Sequence, residues 1–154
     1  MIQIERRQKL STEFEGLVAE LVAFLAITDG DEHAFYHQFN GLSEIKHYVL
    51  AYTSNHLPIG CGAFKPQNRR TAEIKRMYVK ENYRRNGAAR KILQALEDWA
   101  LELKYDVCIL ETGKRQTEAA SFYKDMGYSI TANYSPYEAM ENSICFRKYL
   151  KRKN

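Results

Sequence analysis

The sequence lacks the features that mark membrane-spanning, secreted and zinc-binding proteins. Its longest uninterrupted apolar run, 21–27, has seven residues, whereas a bilayer-spanning helix needs about 20. The N-terminus has no cationic segment followed by an apolar stretch and a small-residue cleavage site, so we expect no secretory signal. The three cysteines, Cys61, Cys108 and Cys145, are odd in number and widely spaced, so we expect neither a disulfide framework nor a metal site. These absences predict a cytoplasmic protein without a membrane partner.

Proline and glycine are also scarce. The chain has three prolines and eight glycines among 154 residues, with 45% hydrophobic and 27% charged residues. That composition is ordinary for a folded domain and leaves little room for disorder. The length suits one domain with its own core and hardly two, and the sequence shows no repeat or linker. We therefore expect a single domain over residues 1–154.

The positive charge is concentrated in one segment. The formal net charge is +4, and residues 71–91 hold seven lysines and arginines against two glutamates, a local balance of +5 that leaves −1 for the rest. A protein that follows a nucleic-acid backbone usually spreads its cations along a face, whereas a compact cluster favours a ligand phosphate. We therefore expect no nucleic-acid partner. A solvated charged turn is the alternative that charge alone leaves open.

Apolar periodicity and turn residues predict one α/β domain with a mixed sheet. One predicted helix is capped by Ser11 or Thr12 and ends at the turn 29–31. Further helices are predicted over 32–39, 87–103 and 115–126, and Gly127 ends the last of them. The predicted strands cover 2–7, 46–53, 57–64, 71–79, 107–110, 128–131 and 143–149.

The segment 71–103 reads as a strand, a basic turn and a long helix. This arrangement presents free backbone N–H groups and a helix dipole to an anion. Gly87 permits a backbone conformation or a close approach that a side chain would block, and Ala88 and Ala89 leave the main chain accessible. The sequence contains neither G-x-x-x-x-G-K-[ST] nor G-x-G-x-x-G, which disfavours nucleotide hydrolysis and dinucleotide redox chemistry.

These residues resemble the GNAT superfamily of N-acetyltransferases. The family's signature [QR]-x-x-G-x-[GA] matches Arg84-Arg85-Asn86-Gly87-Ala88-Ala89, with alanine in place of the commoner glycine at its end, after the strand end Met77-Tyr78-Val79. A second region also matches, at 110–113, 119–123 and Gly127-Tyr128. The order of the elements agrees from residue 2 to 149.

The resemblance implies a fold and a co-substrate. The fold would be a mixed, mostly antiparallel sheet with a splayed parallel strand pair, flanked by about four helices. Acetyl-CoA would be the co-substrate, and homodimers are common in the family. Its pyrophosphate would lie on the turn, and its pantetheine arm would pair with β-strand backbone in the cleft between strands 71–79 and 107–111. The implied cofactor-binding residues are Met77, Tyr78, Val79, Arg84, Arg85, Asn86, Gly87, Ala88, Ala89 and Arg90.

Two residues are candidates for proton transfer. An alkyl amine with a pKa of about 10.4 must lose a proton before it attacks, and Glu73 is the candidate base because histone-acetylating members carry a glutamate at the corresponding strand position. The alternative is a surface carboxylate paired with Lys75 or Arg76. Tyr123 matches the family tyrosine that donates a proton to the departing sulfur, and the alternative is an ordinary half-buried aromatic beside Phe122. Cys108 is disfavoured as a nucleophile because it lies within an apolar strand.

The acceptor side is expected near the first two helices and the loop before the last strand. Candidates are Tyr36, His37, Arg76, Thr112, Arg115, Gln116 and Tyr134. The aromatic and histidine residues could instead pack on the sheet, and Arg76 or Arg115 could bind a substrate carboxylate. The sequence predicts N-acetylation of a small-molecule primary amine, amino-acid-like or polyamine-like. A protein or peptide acetyltransferase and a non-catalytic acyl-CoA sensor are the alternatives.

Overall fold

One mixed sheet organises the part of the chain that the structure, a computed structural model, describes: residues 1–29 and 41–151. The strands run in the order β1-β2-β3-β4-β5-β7-β6, and only β4 and β5 pair in parallel. They are β1 (Gln3–Arg7), β2 (His47–Tyr52), β3 (Pro58–Pro66), β4 (Thr71–Val79), β5 (Val107–Gly113), β6 (Ser129–Thr131) and β7 (Ser143–Tyr149). The expected sheet, mostly antiparallel with one parallel pair, is confirmed.

Three α-helices lie within the described residues. They are α1 (Thr12–Asp29), α2 (Ala88–Glu102) and α3 (Thr117–Asp125), with short 3-10 turns at Leu42–Glu44 and Glu81–Tyr83. The Phe14 amide donates to Ser11 Oγ at 3.2 Å, so Ser11 caps α1, one of the two caps predicted. Gly127 follows α3 with a φ of +94°, the conformation expected of a glycine that ends a helix. The predicted helix over 32–39 lies outside the described residues. None of the described helices is both long and apolar enough to cross a membrane.

The two longer helices cover opposite faces of the sheet. Ile92, Leu93 and Leu96 of α2 are buried in one apolar cluster with the inner residues of β3, β4 and β5, while α1 packs in a second cluster. Gly62 lets α2 approach closely, because a Cβ there would lie 2.6 Å from Met77 Sδ and 2.7 Å from Ile92 Cγ2. A side chain at this position would push α2 off the sheet.

The parallel pair β4–β5 opens after three residues. The register joins Thr71 to Val107, Ala72 to Cys108 and Glu73 to Ile109, and it goes no further. Beyond this point β4 continues to Val79 and β5 to Gly113. The splay predicted for these strands is therefore present, and it leaves a wedge-shaped space between them.

A bulge in β4 lies beside this opening. Cys61 pairs with Tyr78 and Ala63 with Lys75, so Gly62 alone faces both Arg76 and Met77. Arg76 has a φ of +61°, a left-handed conformation that is uncommon for a residue with a side chain. The extra residue bends the strand. Nothing in the sequence predicts a bulge at an arginine.

Candidate functional site

A cleft of about 590 Å³ opens where β4 and β5 separate. Residues 73–79 of β4 and 110–113 of β5 form its sides. The first residues of α2 lie at one end, α3 contributes Ala119, Phe122 and Tyr123, and α1 contributes Leu21, Phe24 and Leu25. One cleft thus joins the basic turn to the candidate catalytic residues.

The turn before α2 is shaped to bind an anion through its main chain. Arg85 and Gly87 have left-handed φ angles of +66° and +88°, and such alternation makes a concave nest of N–H groups. The first intrahelical bond of α2 runs from the Lys91 amide to the Gly87 carbonyl at 3.1 Å. The amides of Ala89 and Arg90 therefore have no acceptor within the helix. A Cβ built on Gly87 would meet no atom within 4 Å, so the space in front of the turn is open.

Side chains of the turn hold its position. Arg84 Nε donates to the Val79 carbonyl at 2.8 Å, which ties the turn to the end of β4. Its guanidinium carbon lies 5.6 Å from the Tyr78 ring centre and 5.3 Å from that of Phe24, both within cation–π range. The Ala88 amide donates to Asn86 Oδ1 at 3.3 Å. Arg84 and Asn86 thus shape the site, while Arg85 and Arg90 are exposed around it.

Helix α1 supplies a carboxylate, Glu20, that neutralises a lysine next to the turn. Glu20 accepts hydrogen bonds from Lys80 Nζ at 2.8 Å and from the Tyr78 hydroxyl at 3.1 Å, and the Lys80 bond holds the pKa of Glu20 below its usual value. Lys80 is therefore neutralised within the fold. Much of the +5 charge that the sequence concentrates in 71–91 is thus left to the turn and the start of α2.

Glu73 is buried in the wall of the cleft. Only 3% of it is exposed, so it is not a surface carboxylate. The Tyr134 hydroxyl donates to Glu73 Oε2 at 2.7 Å, and Lys75 Nζ lies 3.9 Å from the same oxygen. The Lys75 ammonium also donates to the Tyr137 hydroxyl at 3.3 Å. Two tyrosines of the loop before β7 therefore cover this pair of charges. Tyr134 contacts Glu73 and Tyr137 contacts Lys75.

The pKa values of the groups around Glu73 show how enclosed it is. Burial, together with the adjacent Glu73 carboxylate, raises the pKa of Tyr134 far above that of an ordinary phenol. Burial lowers the pKa of Lys75, and Glu73 opposes that shift. Tyr134 thus remains a hydrogen-bond donor to Glu73 throughout the physiological pH range.

Tyr123 faces the same cleft from α3. It is 7% exposed and packs against the rings of Phe122, Tyr128 and Phe146. Burial, and to a lesser extent Glu111, raises the pKa of its phenol above the usual 10. A phenol in this state is protonated at neutral pH, as a proton donor must be.

The family assignment comes from comparison with known proteins. The family model described as "Acetyltransferase (GNAT) family" matches residues 13–128. The chain belongs to the GNAT family. The similar curated proteins include Bacillus subtilis "Uncharacterized N-acetyltransferase YsnE", 31% identical over 93 residues, or 59% of this chain and 62% of that protein. Azospirillum brasilense "IAA acetyltransferase" is 30% identical over 93 residues, 60% of this chain and 61% of that one. The chain thus spans about three fifths of the length of these GNAT relatives.

Solved structures of GNAT proteins share the whole fold. A Klebsiella pneumoniae protein named as an acyl-CoA N-acyltransferase superposes with a TM-score of 0.83 at 25% identity, covering 98% of this chain and 99% of that one. A GNAT family acetyltransferase from Elizabethkingia anophelis, with acetyl-CoA bound, gives 0.71 at 20% identity over 97% and 98%. The second of these likenesses concerns the fold alone.

The cleft of this GNAT chain includes many of the residues singled out in the sequence. Both proton-transfer candidates line it, as do Arg76, Thr112 and Gln116 from the acceptor set. The cofactor-binding candidates that line it are Met77, Tyr78, Val79, Arg84, Arg85, Gly87, Ala88, Ala89 and Arg90.

Several other candidates lie elsewhere. Arg115 donates to the carbonyl of Thr28, in the last turn of α1, at 3.3 Å and is absent from the cleft lining. Tyr134 contacts Glu73 rather than the open cleft. Tyr36 and His37 lie outside the described residues.

Sequence reasoning missed a second carboxylate in the cleft. Glu111 lines it from β5 and accepts a hydrogen bond from Ser143 Oγ at 2.8 Å. It lies near both Lys75 and Tyr123, and its charge acts to raise the pKa of each. Its position in the sequence could have predicted this. Glu111 precedes Thr112 near the end of β5, where a strand of the splayed pair faces the opening.

The described residues offer little for other chemistries. Cys108 is fully buried and burial raises the pKa of its thiol to about 12, which leaves it inert as a nucleophile at neutral pH. Over 1–29 and 41–151, no group of three or more histidine, cysteine, aspartate or glutamate side chains could hold a metal ion.

Proposed function

We propose that this GNAT protein is an N-acetyltransferase that moves the acetyl group of acetyl-CoA directly to the primary amine of a small molecule. The observation that carries the proposal is the turn 84–90. Its left-handed residues and open front form an anion site at the mouth of a cleft, and the same cleft holds a buried carboxylate and a protonated phenol.

The turn would bind the pyrophosphate of acetyl-CoA through backbone N–H groups. The amides of Arg85, Gly87, Ala89 and Arg90 are the donors, with the α2 dipole behind them. Ala88 contributes its small side chain, since its amide already donates to Asn86. The pantetheine arm would lie along the edge of β4 at Met77 and Val79, which β5 leaves unpaired beyond Glu73. The acetyl-CoA bound to the Elizabethkingia protein supports this co-substrate.

The chemistry is a single acyl transfer. Glu73 accepts a proton from the acceptor ammonium, directly or through water, and the neutral nitrogen attacks the thioester carbonyl. A new C–N bond forms and the C–S bond breaks, while a backbone N–H near Tyr78 donates to the carbonyl oxygen. Tyr123 gives its proton to the departing thiolate, and the second proton that the nitrogen loses as it becomes an amide restores the phenol. The products are an N-acetylated amine and free coenzyme A.

Other features of the proposal rest on the sequence. A cytoplasmic location and a homodimer are predictions that follow from the composition and from the family resemblance. The small-molecule acceptor is favoured over a peptide because the charge balance of −1 outside 71–91 offers no obvious acidic groove for basic peptides.

The test incubates the protein with acetyl-CoA and each of a panel of amines. A thiol reagent measures the coenzyme A that is released. We expect amine-dependent thiol release, with an acetylated product of matching mass, that falls in Glu73→Gln and Tyr123→Phe. Binding of acetyl-CoA with no thiol release from any amine would instead identify an acyl-CoA sensor. Transfer to lysine-containing peptides alone would identify a peptide acetyltransferase.

A further inference from the structure

The side chain of a buried arginine in the cleft has no hydrogen-bond or ion-pair partner among the described residues. Arg76 is 7% exposed, and its Nε is a buried polar atom without a hydrogen bond. No carboxylate of the described chain comes within ion-pair distance of its guanidinium. Buried charges in proteins are almost always paired, because an unpaired one loses its hydration without compensation. The missing partner can be an anionic group of a bound molecule.

Within 1–29 and 41–151, the surroundings of Arg76 supply no anion. The titratable groups that act on it electrostatically are the Cys61 thiol and the Tyr137 phenol, and the Lys75 ammonium is a further cation nearby. Burial raises the pKa of the Cys61 thiol to about 12, so it is uncharged at neutral pH. Burial also lowers the pKa of Arg76 itself to about 10, which still leaves the guanidinium charged at neutral pH.

The β4 bulge fixes where this charge lies. Arg76 occupies the left-handed position of the bulge, lines the cleft and sits next to Tyr137 in the loop on the acceptor side. It follows Glu73 by three residues of β4, at most about 10 Å of strand length, and both residues line the cleft. A base for an amine and an unpaired cation thus lie within the length of one small molecule.

We propose that the Arg76 guanidinium binds a carboxylate of the acceptor, so that the acceptor is an amino acid or a close analogue rather than a polyamine. This inference rests on the proposed acetyl transfer to an amine. A planar guanidinium offers two parallel N–H donors to a carboxylate. A polyamine would instead place a second cation beside Arg76, where like charges repel.

The test compares amines that differ only in the carboxylate. Ornithine is paired with putrescine and phenylalanine with 2-phenylethylamine, and kcat/KM for acetyl transfer is measured for each. In the pair that fits the cleft, we expect kcat/KM to be about 100-fold higher for the member with the carboxylate. A buried set of donors rejects an analogue that leaves it unpaired.

Variants of Arg76 test whether this residue sets the preference. Arg76→Gln should reduce the preference to about threefold or less, mainly through KM, whereas Arg76→Lys should keep part of it as a point charge. Arg69→Gln, which changes an exposed arginine in the β3–β4 turn, should keep all of it. Thermal unfolding checks that each variant is folded. A merely structural role for Arg76 would change stability and leave the preference intact.

The contrary outcomes are distinct. Preference for putrescine or 2-phenylethylamine, or a preference that survives in Arg76→Gln, overturns the carboxylate inference while acetyl transfer itself stands. Absence of transfer to either amino acid also overturns it. The proposed function fails separately, when no amine of either kind releases coenzyme A.

Discussion

The hydroxyl of Tyr134 donates a 2.7 Å hydrogen bond to Oε2 of Glu73, joining residues that lie 61 positions apart in the chain. Glu73 stands on β4 at the last residue that pairs with β5, and Tyr134 stands in the loop before β7. The bond orients the carboxylate at the point where the cleft begins. It also makes the loop part of the proposed catalytic machinery.

Replacing Glu73 with glutamine removes the proposed base and keeps its shape. We expect kcat to fall by about 100-fold or more, because the amine proton loses its acceptor. Tyr134→Phe should lower kcat by about tenfold, because the carboxylate loses the bond that orients it. The control is Tyr149→Phe, at an exposed tyrosine of β7. A normal rate in Glu73→Gln, with a large loss in Glu111→Gln, would move the base to Glu111.

Tyr123→Phe removes the proposed proton donor and leaves the ring packing in place. We expect kcat to fall by about 100-fold with little change in KM. Because burial raises the pKa of Tyr123 above 10, the phenol stays protonated as the pH rises. The ratio of wild-type to variant kcat should therefore stay constant between pH 7 and about 10. A ratio that declines over this range would show that the phenol ionises there, and a wild-type rate would show that the thiolate leaves without it.

Two glycine substitutions should have opposite effects on stability. Gly62→Ala places a Cβ 2.6 Å from Met77 Sδ and 2.9 Å from Leu96 Cδ1, so we expect it to destabilise the fold by about 1–3 kcal/mol. Gly16→Ala lies in α1 with no atom within 4 Å of its Cβ and should stabilise by about 0.5–1 kcal/mol. Urea denaturation measures both free energies of unfolding. Equal changes in the free energy of unfolding would mean that α2 does not pack closely against β3 at Gly62.

Local sequence patterns predict the elements of this fold well, because each element carries its own signal. The apolar positions of α2, such as Ile92, Leu93 and Leu96, recur at helical spacing. The strands 71–79 and 143–149 begin and end at their predicted residues. Gly87, next to the basic residues, likewise marks the turn that the structure shows to be left-handed.

The parts that sequence reasoning missed depend on contacts between distant segments. The left-handed conformation of Arg76 comes from the register of β4 against β3, which no pattern around an arginine records. The contact of Tyr134 with Glu73 depends on how the loop before β7 folds back over β4. Glu20 acts as the partner of Lys80 across 60 positions. Spacing along the chain carries no information about such pairs.

Calorimetric titration with acetyl-CoA tests the anion site at Gly87 most directly. We expect the wild-type protein to bind with measurable heat and Gly87→Glu not to bind, since its carboxylate would occupy the open space and repel the pyrophosphate. The matched control is Gly127→Ala, which places a side chain on another left-handed glycine, away from the cleft, and should bind normally. Wild-type binding by Gly87→Glu, or no heat from the wild-type protein, would contradict the site.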